Sequence, residues 1–276
     1  SRSSSGGHSR TRRCSPVSRS DKDSGGCHVI GDELESRLVS VPFTFPDVTG
    51  RHIFVLGLGG GCDVITAYAA SRLLSPGAAR VVYGNTKTDS AGPVERLTPH
   101  VARVASPVPE PGHKPKGCGS AAIDHGVPRG AHGSPWIVLL GRDHDADALA
   151  TEIASLGFDL IIGVDAGGDS IVTKRGRPRR GRDQRVLAVL LRTRVPVLHV
   201  VVAPGCDGES RTGDLCDALA ARLNAGAYRG CFPLAPILPV LREQSSGLSE
   251  ARTPRIVLAA ADGRLDRTAT GRVVVP

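Results

Sequence analysis

Apolar residues in this chain gather in short, nearly unbroken runs: Ile53–Leu56, Val81–Tyr83, Trp136–Leu140, Leu160–Val164 and Val197–Val202. Each run gives way to a cluster holding glycine or a polar residue. Runs of that length bounded by turn residues read as buried strands, placed here at His52–Leu58, Arg80–Tyr83, Trp136–Leu140, Phe158–Val164 and Pro196–Val202. Between the first two, Val64, Ile65, Tyr68, Ala69, Leu73 and Leu74 recur at helical spacing until Ser75-Pro-Gly77 stops them. Further helices are predicted over about Asp145–Leu156, Arg182–Thr193 and Asp214–Ala225, and around Leu238–Gln244 and Pro254–Ala261. Asp143 and Asp145 suit the front of the Asp145–Leu156 helix, where carboxylates meet the positive end of the dipole.

Aliphatic strands that alternate with helices indicate a parallel sheet covered on both faces. The expected fold is therefore a single Rossmann-like, doubly wound α/β domain of about five or six strands, with a right-handed first β-α-β crossover. Residues 1–33 read as a disordered tail rich in Ser and Arg, and the domain is placed at 34–276. Within it, about 85–135 is an insertion rich in Pro, Gly and His, where only His100–Ala105 looks like a strand.

Composition refines this picture in three places. Aromatic residues make up 3% of the chain, so Val, Leu, Ile and Ala must fill the core. The net charge of +8 comes from two segments, five arginines within residues 1–20 and six cations in Lys174–Arg182. Such runs are solvated tails or loops, or else a footprint for nucleic acid, although few aromatics remain for base stacking. The seven cysteines are dispersed without a CxxC pair, which fits reduced thiols in an intracellular compartment and removes zinc-ribbon readings. No stretch is long and apolar enough to span a bilayer. A soluble, cytoplasmic protein is expected; the composition of Ser1–Ser20 also suits an organellar transit peptide.

The candidate chemistry lies where strands end. Gly57-Leu-Gly-Gly-Gly-Cys-Asp63 closes the first strand and opens a helix. It lacks the Gly-Lys-Ser/Thr of a P-loop, and Cys62 holds the third glycine position of a dinucleotide fingerprint. The ribose-binding acid expected after the second strand is missing too, with Tyr83-Gly-Asn85 in its place. What remains is a set of backbone amides at Gly57, Gly59, Gly60 and Gly61 that an anion can approach, with Asp63 either capping the helix or touching ligand.

The second turn, Val164-Asp-Ala-Gly-Gly-Asp-Ser170, places Asp165 and Asp169 around Gly167 and Gly168. Paired carboxylates supply hard oxygen ligands for a divalent cation such as Mg²⁺, or acceptors for ligand hydroxyls; Asp169 and Ser170 also suit plain turn hydrogen bonds. A third turn, Ala203–Ser210, adds Asp207 and Glu209 to the same rim. Cys206 reads as a small buried residue, and His125, His132 and His144 as surface loop residues.

Taken together, GLGGGCDVITAYAASRLL from Gly57, YGNT from Tyr83, VDAGGDS from Val164 and GCDGES from Gly205 resemble the uncharacterised family catalogued as domain of unknown function 1152. The resemblance spans roughly Val41–Ala261 and implies a Rossmann-like domain, with Gly59–Gly61, Asp63, Asp165, Gly167–Ser170 at family-like positions. It brings no established reaction. The long insertion and the basic Lys174–Arg182 segment depart from the family pattern.

The leading expectation is an enzyme acting on a small phosphorylated or carboxylated metabolite. Glycine amides and Asn85 would touch the ligand, Asp165 and Asp169 would orient it or a Mg²⁺ ion, and Arg182 or a neighbouring arginine would offset its charge. A non-catalytic ligand sensor or scaffold, oligomeric or not, and a nucleic-acid binder are the competing readings.

Overall fold

The computed structural model describes residues 32–59, 61–87, 94–104, 133, 135–140, 145–172, 181–206, 209–264 and 272–275. The elements in chain order are α1 (Asp32–Val39), β1 (His52–Gly57), α2 (Asp63–Leu74), β2 (Arg80–Lys87), β3 (Val94–Arg96), β4 (Val101–Val104) and β5 (Trp136–Leu139). There follow α3 (Ala146–Ala154), β6 (Leu160–Ala166), α4 (Arg182–Leu190), β7 (Val197–Val202), α5 (Thr212–Asn224) and β8 (Gly230–Pro233). A 3₁₀ turn (Ala235–Ile237), α6 (Leu238–Ser245), α7 (Thr253–Ala261) and β9 (Arg272–Val275) complete the order.

Among the described residues nine strands form one sheet in the order β3-β4-β5-β2-β1-β6-β7-β9-β8. The five central strands, β5 to β7 in that order, are parallel to their neighbours. The expected α/β fold is therefore present, but the sheet is larger than five or six strands. Antiparallel strands extend both edges, β4 and β3 beyond β5, and β9 and β8 beyond β7. Three of these four were not anticipated because they are three or four residues long, too short to show alternation. Two of the four lie inside the 85–135 stretch read as an insertion: β4 falls within the strand-like His100–Ala105, whereas β3 was missed.

Successive residues of the central strands point to opposite faces, as a pleat requires. Ile53, Val55, Val81, Tyr83, Ile162 and Val164 face one core with α2, α6 and α7, while Phe54, Leu56, Val82 and Ile161 face another with α3 and α4. Each fully buried aliphatic side chain contributes about 1.5–3 kcal/mol, so the doubled core outweighs any surface contact. Three of the chain's aromatic residues meet in the second core, where Phe54, Trp136 and Phe158 pack with ring centroids 5.1–5.9 Å apart. Helix α2 is buried on most of its surface because it lies between the sheet and the α6–α7 layer. That explains its weak amphipathic pattern.

Asp145 caps α3 as expected, accepting from the backbone N–H of Asp147 at 2.9 Å and Ala148 at 3.2 Å. Strand β6 runs two residues past its expected end. Asp165 pairs with Val201 and Ala166 with Val202, so parallel register with β7 holds them in the ladder. Among the described residues Cys62, Cys206 and Cys231 are buried and Cys216 is half-buried. No helix among the described residues is long and apolar enough to cross a membrane. The 1–31 tail, the basic segment 173–180, His125, His132, His144, Gly60 and Asp207 lie outside the described residues.

The strand order has one functional consequence. From β1 the chain moves outward through β2 to β5, then returns to place β6 on the other side of β1 and continues to β7. At such a reversal the two flanking connections leave in opposite directions and open a crevice at the carboxyl ends of the strands. Here those strands are β1 and β6, the two that carry the principal glycine turns.

Candidate functional site

The crevice is a half-open pocket of about 270 Å³. The turn after β1 supplies Gly59, Gly61, Cys62 and Asp63, and the end of β6 supplies Ala166 and Asp169. Asp183 on α4, Glu209 after β7, and the segment Ala251–Thr253 at the start of α7 line the rest. Three glycine and acid turns thus meet at one pocket.

Asp165 lies under its floor and is 1% exposed. Its carboxylate accepts from the backbone N–H of Gly168 at 3.3 Å and of Ser170 at 2.9 Å, and from the Ser170 hydroxyl. The turn closes this tightly because Gly167 and Gly168 adopt φ of 108° and 96°, a region that side chains disfavour. The Ser170 Oγ also lies 2.9 Å from Nε2 of His199 on β7. When Asp165 is ionised, Ser170 directs its one proton to it and accepts from His199, which then carries its proton on Nε2. Burial, and secondarily Arg222, holds His199 down to about 3, and it is neutral at physiological pH.

Asp183 is the member that sequence reading missed. It sits in the first turn of α4, where an acid reads as a favourable partner of the helix dipole. In the fold it is buried and shares a side-chain hydrogen bond with Asp169. Oxygens of Asp165, Asp169 and Asp183 all lie within 4.8 Å of one another. Burial, then the neighbouring charges of Asp63, Asp165 and Asp169, push Asp183 up to about 10; burial and Asp169 push Asp165 up to about 7. Like charges packed this closely cannot all ionise without a counterion.

The first glycine turn is built around the same carboxylates. The Gly59 N–H donates to Asp63 at 2.7 Å, and a Cβ on Gly59 would lie 2.5 Å from Asp183 Oδ2 and 2.6 Å from Asp63 Oδ2. Only glycine passes between the two acids. The amide expected to meet an anion is thus engaged by Asp63, the first residue of α2, and Cys62 occupies the cap position. Gly57 is needed for packing, since a Cβ there would lie 2.8 Å from the Asp63 backbone. Asn85 is fully buried and donates through Nδ2 to the Gly61 carbonyl at 3.0 Å, fixing the turn from β2. Arg182 donates to the Gly59 carbonyl, so its guanidinium holds the loop.

Residues 137–268 match the family model described as a protein of unknown function, DUF1152. The match bears out the resemblance read from the sequence, over a shorter stretch. Asp165, Asp169, Ser170, Asp183, His199, Glu209 and Arg252 fall within the DUF1152 match, whereas the first glycine turn and Asn85 lie before it. No curated protein and no solved structure matches the chain.

Proposed function

We propose that this chain binds a divalent cation, Mg²⁺ or Mn²⁺, between Asp165, Asp169 and Asp183, and uses it to hold a small phosphorylated or carboxylated metabolite as an enzyme acting by electrostatic positioning. The observation that carries this reading is the convergence of three carboxylates, from β6, its turn and α4, to within 4.8 Å, two of them lining the switch-point crevice. Carboxylate oxygens are the hard donors that such cations take. A cation there would neutralise and polarise an oxyanion of the ligand. The chain's own groups prepare the site: Ser170 and the Gly168 amide orient Asp165, and the narrow Gly59 turn lets Asp183 reach Asp63 and Asp169.

Calorimetric titration with Mg²⁺ and Mn²⁺ tests this directly. The wild-type chain is expected to take up one cation with release of protons, because ligands must be deprotonated. Asp169→Asn, at a partly exposed turn position, is expected to weaken uptake at least about tenfold. Absence of uptake by the folded wild-type chain overturns the reading. Thermal-shift screening of small phosphates and carboxylates with and without Mg²⁺ then names the metabolite. A ligand that binds but is never turned over assigns the pocket to a binding protein rather than an enzyme.

A further inference from the structure

Arg252 is the only cationic side chain among the described residues that line the pocket, and it shares that cavity with Asp63, Asp169, Asp183 and Glu209. It pairs with none of them: its guanidinium has no hydrogen-bond or ion-pair partner among the described residues. Its neighbours differ. Arg255 binds Glu250, Arg242 binds Asp262, and Arg182 holds the Gly59 carbonyl. The Arg252 backbone is fixed from both sides, its N–H donating to Ser249 at 3.0 Å and its carbonyl accepting from Arg255 at 2.8 Å and Ile256 at 3.1 Å. An anchored arginine that lines the same pocket as four carboxylates, and closes onto none of them, leaves room for an anion between them.

We infer that Arg252 binds the anionic group of the ligand, so that an oxyanion is bridged between this guanidinium and a cation on the Asp165, Asp169 and Asp183 wall. The inference rests on the cation site proposed above and adds the ligand's class and its order of binding. The acidic wall repels a bare anion, and the Gly59 amide that might have received one already donates to Asp63. The oxyanion therefore enters only after the cation. It needs two oxygens that face apart, one for each wall, which a phosphate or carboxylate supplies and an alcohol or amine does not. The volume of about 270 Å³ lies below the roughly 300–1,000 Å³ usual for drug-sized ligands, which suits a compact anionic group within the pocket.

Full-length wild-type and Arg252→Gln chains titrated with Mg²⁺ alone, then with inorganic phosphate and with acetate in the presence and absence of Mg²⁺, decide this. Mg²⁺ is expected to bind both chains alike, within about twofold, because the guanidinium does not touch the carboxylates. With Mg²⁺ present, at least one of the two oxyanions should bind the wild-type chain, and Arg252→Gln should weaken it at least about tenfold, about 1.4 kcal/mol. Whichever of phosphate and acetate shows the larger loss gives the oxyanion type. Without Mg²⁺ neither should bind, and by reciprocity the oxyanion should tighten Mg²⁺ by the same factor that Mg²⁺ tightens it. Binding of phosphate and acetate that Arg252→Gln leaves unchanged, or wild-type binding that is equal without Mg²⁺, overturns the bridge while leaving the cation site standing. A wild-type chain that takes up no Mg²⁺ overturns the cation site, and the bridge with it.

Discussion

Strand β6 has opposite surroundings at its two ends. At the amino end Leu160 lies with Val197 and Leu198 against Pro42, Phe43 and Pro46, around an open, mostly apolar hollow of about 370 Å³ that Thr44 and Arg229 also line. The rings of Phe43, Phe45 and Phe232 stand 4.8–5.7 Å apart in the same region. At the carboxyl end Asp165 lies beneath an acidic pocket, with a carboxylate that is buried and raised toward neutrality. One strand therefore runs from an apolar surrounding at one end to the proposed cation site at the other. The polarity of a parallel sheet makes this division possible, since all its carboxyl ends and the loops that follow them face one side. Charge that costs free energy to bury is collected there, and apolar burial elsewhere offsets the cost.

Substitutions should separate the two ends. The largest effect is expected from Leu160→Ala, which removes a side chain that is 4% exposed and should cost about 2–5 kcal/mol in urea unfolding while leaving Mg²⁺ affinity within about twofold. A comparable loss of Mg²⁺ binding would show that the ends are not independent. Next is Ser170→Ala at the polar end. It should weaken Mg²⁺ binding about 10- to 100-fold in calorimetry, as loss of a group that orients a ligand does, with a smaller change in stability. Unchanged affinity would mean that backbone amides alone position Asp165.

The last expected effect, and the one that most sharpens the comparison, is on pH dependence. Asp165 and Asp183 have folded values of about 7 and about 10 against an ordinary 3.8, so the folded chain holds protons that the unfolded chain has lost. Stability without added cation should therefore fall as pH rises through that window. Asp183→Asn, which retains a donor toward Asp169, should make the fall shallower. Added Mg²⁺ should stabilise the wild-type chain more at about pH 9 than at about pH 5, where protons compete for the ligands. Unfolding curves at fixed ionic strength check both slopes; equal slopes for the wild-type chain and Asp183→Asn would show that Asp183 is not a strained buried carboxyl.

Much of this architecture was legible because its signals are short-range. The apolar runs at Ile53–Leu56 and Leu160–Val164 mark strands whatever surrounds them, and Gly167 and Gly168 mark a turn because few other residues tolerate positive φ. Asp165, Asp169 and Glu209 could be placed near one rim because each follows a strand of a parallel sheet. Asp183 could not, since the dipole at the start of a helix accounts for an acid there equally well. The placement of the arginines was equally out of reach of local pattern. Arg182 sits beside the acidic turn in sequence yet holds the Gly59 carbonyl, whereas Arg252, distant in sequence, faces the pocket. His199 reads as one polar residue in an aliphatic strand, and only its position beside the Asp165 turn gives it a partner.

The sequence by itself determined the class of fold, the main strands and helices, and the turns where backbone bends sharply beside acid, because these depend on residues a few positions apart. Tertiary structure decided which turns meet. Placing β6 beside β1 is settled by long-range packing of two hydrophobic faces, and that packing alone brings Asp183 to Asp165 and Asp169 and sets Arg252 across from them. Convergence of side chains from distant segments has no local pattern, since each residue keeps an adequate role within its own element until the chain folds.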